Sequence, residues 1–261
     1  TINIPGATDV TQDRRLHTYV VGRLDMLVDG TMRNLAAVYR LTGTATGNPQ
    51  IVDTIVHPFD DVSRNNTSFR GTDDEEVEFT GIATLADNTV YLSRTGPRND
   101  PSSIARPDNV ILFFDAEGNN TGYANGLNPT SSSLKSVLEV SAIATFAGPP
   151  QSLGGISSSR EFMITQAAPE AEYKVLWIRR VEDPETGVQF IENADLVLQD
   201  PTRADRFLYE PNRFLQPEDI YIAPDATGYI FVVDAGLDSL FIFTRTGHEG
   251  VNPPPSSQQQ K

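Results

Sequence analysis

The residues of this chain best suited to acid–base or metal chemistry are few and scattered. His17, His57 and His248 are its only histidines, and imidazoles from separate elements hold a divalent metal only if the fold brings them together. Without local ligand spacing they read as separate surface or strand-end side chains. His57-Pro58-Phe59-Asp60-Asp61 is the densest polar cluster with a histidine. His57 with Asp60 or Asp61 would make a general base, or a weak metal site, if a nucleophile or bound water came within hydrogen-bond reach. The plainer reading is a strand end entering an acidic loop.

Carboxylates raise the question of calcium, a hard cation that takes oxygen ligands. Asp73-Asp74-Glu75-Glu76-Val77-Glu78 and Asp115-Ala116-Glu117-Gly118-Asn119-Asn120 both supply oxygens. Neither has the alternating Asp/Asn spacing and closing Glu of a calcium loop, so a solvated charge run and a hairpin turn are the simpler accounts. Arginines offer a different chemistry. Arg94, Arg98 and Arg106 fall in a connection far longer than a hairpin needs, and three guanidinium groups there could capture a carboxylate, a sugar acid or an acidic partner. They could equally pair with the chain's own surplus of acids. The Gly/Pro/Ser loop 148–159 is expected at the corresponding place of the next unit, which would put two elaborated loops on one rim. Tyr123 and Tyr209 fall outside the strongest apolar runs and are the better exposed aromatics.

Composition narrows the field. The 20 Lys and Arg against 35 Asp and Glu leave a formal charge of −15 over 261 residues, which repels phosphate backbones and anionic membranes. Nucleic acid is therefore not an expected partner, and a membrane is expected only through a lipid anchor outside this chain. There is no cysteine, hence no disulfide, thiolate nucleophile or thiolate metal site. No apolar run reaches the ~18 residues of a membrane helix. Thr1 reads as a processed or trimmed start. Asn65, Asn66 and Asn119 head Asn-x-Ser/Thr triplets, which arise easily in an Asn- and Thr-rich chain.

The elements that must position these residues are strands. Apolar runs at 16–22, 34–41 and 50–56, broken by Asp29-Gly30 and by the Thr/Gly-rich stretch 42–49, read as three strands of one unit. A second unit runs through 80–85, 88–94 and 109–118, and a third through 141–146, 161–166 and 173–181. The last unit, 219–223, 229–234 and 239–244, has turn chemistry at Pro224-Asp225-Ala226-Thr227-Gly228 and Ala235-Gly236-Leu237-Asp238. Thr80-Gly81-Ile82-Ala83-Thr84, Ser141-Ala142-Ile143-Ala144-Thr145 and Asp219-Ile220-Tyr221-Ile222-Ala223 open their units alike. Residues 131–139 are the best helix candidate, and they are short. The total is about fourteen strands, whereas six four-stranded propeller blades would need about twenty-four. Further chain beyond Lys261 is expected on that ground. The repeat fold predicts one domain over 1–250, followed by a Pro/Ser/Gln-rich tail over 251–261.

The last unit resembles the NHL-repeat family of β-propellers, and more loosely the bacterial cell-envelope lipoproteins that carry such repeats. Pro217, Ile220, Ala223, Asp225, Gly228, Ile230, Phe231, Val232, Asp234, Gly236, Ile242, Phe243 and Gly247 fit the family's unit. Leu237-Asp238 stands where the family usually has Asn, and Ser239-Leu240 where it has a basic residue. The resemblance implies an all-β propeller, whole or partial, with long loops between strands. Related propellers that act as lyases use histidine-bound zinc, and lactonase-like ones an axial metal held by Glu, Asn and Asp; no motif here marks those positions. The expectation is a non-catalytic, extracytoplasmic binding or scaffold module without a cofactor. It would belong to an envelope assembly and dock on a protein, with a small molecule or glycan as a further possible ligand. A metal-dependent propeller hydrolase or lyase is the alternative, and an RNA-binding propeller is third.

Overall fold

The computed structural model describes residues 1–56, 72–85, 88–97, 108–115, 117–124, 140–145, 161–166, 174–183, 187–195, 214–223 and 229–243. Among them fifteen strands form four sheets. The chain divides into two compact units, residues 1–140 and 141–261. The first holds the sheet β1(Asp9–Gln12), β2(Thr18–Val28), β3(Thr31–Thr42), β4(Gln50–Val56) and the sheet β5(Glu78–Thr84), β6(Val90–Thr95), β7(Val110–Phe114), β8(Asn120–Ala124). The second holds β9(Val140–Thr145), whose first residue closes the preceding unit, with β10(Glu161–Gln166), β11(Lys174–Asp183) and β12(Gly187–Asp195), and then β13(Pro217–Ile222), β14(Ile230–Asp234) and β15(Ser239–Phe243). In every sheet sequence neighbours are also sheet neighbours. The protein is all-β, and its sheets have the up-and-down order of propeller blades.

The long β2–β3 hairpin is closed by Asp29 (φ 50°) and Gly30 (φ 79°). Two successive left-handed residues make the type I′ turn that matches strand twist. Both strands outrun the apolar stretches 16–22 and 34–41, because the polar residues between are paired along the ladder. Arg23 lies opposite Ala36 and Asp25 opposite Asn34; Asn34 Nδ2 donates to Asp25 Oδ1 at 2.7 Å, and Arg23 Nη2 donates to the Asn34 carbonyl at 2.7 Å. The same arginine reaches the Glu75 carbonyl at 2.6 Å, while Arg33 meets the Glu75 carboxylate at 2.8 Å. The acidic stretch is therefore a docked segment rather than a solvated run. Asp74 and Val77 are both fully buried.

Each unit has its own apolar centre. In the first, Tyr19, Val21 and Val38 pack against Ile82, Leu92, Leu112 and Phe114, and Ile2 and Ile4 lie over the other face of the first sheet beside Leu35, Ala37 and Leu41. In the second, Ala142, Met163 and Val175 pack against Ile220, Val232 and Phe241, with Phe214 edge-on to Phe241 at 5.8 Å.

The shared openings at Thr80 and Ser141 have the same bonding. Thr80 Oγ1 lies 2.9 Å from Ser93 Oγ and donates to the Val140 carbonyl, and Ser93 Oγ donates to the Gly81 carbonyl at 3.1 Å. Ser141 Oγ lies 2.8 Å from Thr165 Oγ1 and donates to the Pro217 carbonyl at 2.7 Å, and Thr165 Oγ1 reaches the Ala142 carbonyl at 3.5 Å. In both cases a hydroxyl pair ties the first strand of the sheet to the second, and the hydroxyl on the first strand donates onward to a further main-chain carbonyl. The two long loops, by contrast, are not equivalent. Residues 96–109 join the second and third strands of their sheet, whereas 146–160 join the first and second of theirs. In an up-and-down sheet those connections leave from opposite ends, so the two loops do not hold corresponding places in their sheets.

Candidate functional site

Arg94 sits in β6, is only 3% exposed, and donates from Nε to the Asp108 carbonyl at 3.2 Å. Its guanidinium holds the base of the loop together. Gly96 adds to that closure, because a Cβ there would come within 2.8 Å of Asp108 Cβ and 2.9 Å of Val77 Cγ2. Arg98 and Arg106, like His57, Asp60 and Asp61, lie outside the described residues, as do Tyr209, His248 and the helix candidate 131–139. Tyr123 lies in β8 with its backbone opposite Leu112.

The most organised polar cluster is one that the motifs did not reveal. Asp13 opens the β1–β2 turn, and its buried carboxylate accepts from the Arg15 and His17 N–H groups at 2.8 and 2.9 Å through Oδ1. Its Oδ2 accepts from Tyr19 Oη at 3.1 Å and lies 3.1 Å from His17 Nδ1. Burial, then the charge and hydrogen bond of Asp13, push the Tyr19 phenol up to about 12, against a pull from Arg40. A histidine oriented by a buried carboxylate is half of a general-base arrangement. The other half is missing: among the described residues no hydroxyl bonds the His17 ring.

The β7–β8 turn repeats this geometry and explains it. Asp115 Oδ1 accepts from the Glu117 and Asn119 N–H groups at 3.0 and 2.8 Å, and Asn119 Nδ2 donates to Asp115 Oδ2 at 3.0 Å. Those bonds, the Asn119 side chain foremost, hold the Asp115 carboxyl below its ordinary value. Both turns run Asp-x-x-x-His/Asn, and the fourth residue is left-handed in each, Leu16 at φ 65° and Gly118 at φ 90°. His17 thus stands where Asn119 stands, as a side chain closing an Asp-capped turn. The oxygens of Asp115 that could have suggested calcium are spent on that turn. Among the described residues no three carboxylates or imidazoles gather as a metal site would require.

Between the two sheets of the first unit runs a crevice of about 330 Å³ counting its open mouth, lined by Tyr19, Val38, Ile82, Leu92 and Phe114. Its rim is the ion pair of Arg40 Nη2 and Asp53 Oδ2 at 3.2 Å. The enclosed part has room for roughly one water, well short of the several hundred Å³ of an ordinary ligand pocket.

The remaining candidate is a surface. The two faces of the β13–β15 sheet differ sharply: Ile220, Ile222, Ile230, Val232 and Phe241 are buried on one, while Tyr221 (58%), Val233 (42%), Leu240 (54%) and Ile242 (45%) stand exposed on the other. The register makes that second face continuous. Tyr221, Phe231 and Ile242 form one cross-strand row, and Asp219, Val233 and Leu240 the next. Beneath it, Asp234 fixes the sheet to the preceding segment. Its buried carboxylate accepts from the Leu215, Gln216 and Leu237 N–H groups at 2.8 to 3.0 Å. A Cβ on Gly236 would meet Leu215 Cβ at 2.6 Å. The Asp and Gly of the repeat pattern therefore have a structural duty here.

No family model matches the chain, and no curated protein matches its sequence. Among solved structures it is similar to a glucose dehydrogenase, at 9% identity over 94% of this chain and 82% of that one, with a TM-score of 0.35. A likeness of that degree carries no argument about fold or activity.

Proposed function

We propose that this protein is a non-catalytic, extracytoplasmic binding or scaffold module. It is a propeller-like domain of NHL-type repeats that docks on a protein partner within a cell-envelope assembly. The observation that carries the reading is the exposed apolar face of β13–β15, since a contiguous cluster of exposed large apolar side chains on a folded domain is a candidate interaction site. The polar clusters support it from the other side, because Asp13, Asp115 and Asp234 are each committed to backbone N–H groups. Glycans and small molecules remain secondary ligands. The test is affinity capture from envelope extracts with the wild-type chain and with Leu240→Lys/Ile242→Lys. A specific partner recovered by the first and lost by the second, with hydrogen exchange slowed across 219–242 in the complex, supports the module. Equal recovery by both chains overturns it.

A further inference from the structure

The partner of this face has a definable chemistry. Three observations bear on it. First, the sheet is built to be covered on both sides. Its inner face packs on Ala142, Met163 and Val175, and its outer face presents the two rows Tyr221-Phe231-Ile242 and Asp219-Val233-Leu240. Alternating side chains that are apolar on both faces belong to strands sandwiched between two layers. Second, among the described residues of this sheet the charges have one sign. Glu218, Asp219 and Asp238 are exposed, Asp234 lies below, and residues 214–223 and 229–243 contain no Lys, Arg or His. Third, the whole chain carries a charge of −15.

We infer that the occupant is a polypeptide surface whose apolar side chains are flanked by Lys or Arg, so that it covers the Tyr221-to-Ile242 rows while its cations meet Glu218, Asp219 and Asp238. This deepens the docking role proposed above and rests on it. A second copy of this chain fits poorly, because two acidic rims would be brought face to face. An anionic membrane fits poorly for the same reason. Cations at the rim of an interface act mainly on encounter rate and partner choice, and the apolar centre supplies the affinity.

Two fluorescein-labelled β-hairpin peptides serve as probes, with one identical Ile/Val/Tyr face, one flanked by Lys and the other by Glu. Binding to the full chain is followed by anisotropy. The Lys-flanked peptide is expected to bind at least tenfold more tightly at low salt, with the advantage shrinking in 0.5 M salt as rim charges are screened. Glu218→Gln/Asp219→Asn/Asp238→Asn should erase the preference and leave the apolar contribution. Leu240→Lys/Ile242→Lys should abolish binding of the Lys-flanked peptide, with circular dichroism unchanged. Equal binding of both peptides overturns the charge assignment and leaves the docking face standing; binding of neither overturns the chemistry stated here, whereas the docking role falls only if partner capture survives Leu240→Lys/Ile242→Lys. A wild-type dimer in sedimentation that dissociates in that variant makes the occupant a second copy, and also overturns the inference.

Discussion

The sheets β5–β8 and β13–β15 open with similar sequences and meet solvent in opposite ways. Every described side chain of β7, Val110 to Phe114, is buried, and β6 is buried from Val90 to Arg94. In β14 and β15 the burial alternates, with Val233, Leu240 and Ile242 outside and Val232 and Phe241 inside. β7 (Val110–Phe114), β14 (Ile230–Asp234) and β15 (Ser239–Phe243) are all nearly continuous apolar sequence, so the difference between them lies in what covers them. A two-sided apolar strand with one side uncovered is the surface on which the proposed docking role rests.

The comparison is sharpest in the core. Phe113, 3% exposed and edge-on to Tyr91 at 4.9 Å, should cost about 3 to 5 kcal/mol when replaced by Ala. Ile242→Ser should change stability by about 0.5 kcal/mol or less. Equal shifts of the denaturant midpoint would break the contrast. Next comes Asp234→Ala, which strands three N–H groups beneath the exposed face and should cost about 3 kcal/mol; a loss below about 1 kcal/mol would mean the segment 214–216 is held by other contacts. Gly96→Val should cost about 2 kcal/mol by overpacking against Asp108 and Val77, again read from chemical denaturation. A gentler probe is alkaline titration at 295 nm. Tyr19 should ionise near pH 12, and Tyr19→Phe should remove that contribution. Because the folded-state value lies above the ordinary one of 10.0, the stability that the neutral phenol contributes is complete below pH 10 and declines as pH rises toward 12.

Much of the architecture was legible in the chain because β-branched and aromatic runs bounded by Gly, Pro, Asn and Asp mark strands directly. Thr80 and Ser141 show that local similarity carried down to individual hydrogen bonds. Strands β1, β8 and β12 escaped notice since each mixes polar residues into a short or diluted apolar pattern, as Asn120-Thr121-Gly122-Tyr123-Ala124 does. The Asp13 turn was hidden by Leu16, which occupies a left-handed position that only Gly or Asn would have advertised. Arg94 looked like a loop cation, and its place one residue inside the strand end buried it. The uncovered face could not be read at all: Val233 and Val232 are identical in sequence terms, and only packing tells them apart.

The β2–β3 hairpin has a kinetic consequence. Its eleven cross-strand pairs, from Thr18 opposite Leu41 to Val28 opposite Thr31, need no distant part of the chain, and a two-residue turn places their ends together. Hairpins of this kind form in about 1 to 10 μs, far ahead of pairings such as Arg23 with Glu75 that must first close a long loop. Folding of the first unit should therefore start at Asp29-Gly30, and Gly30→Val should slow refolding more than it speeds unfolding.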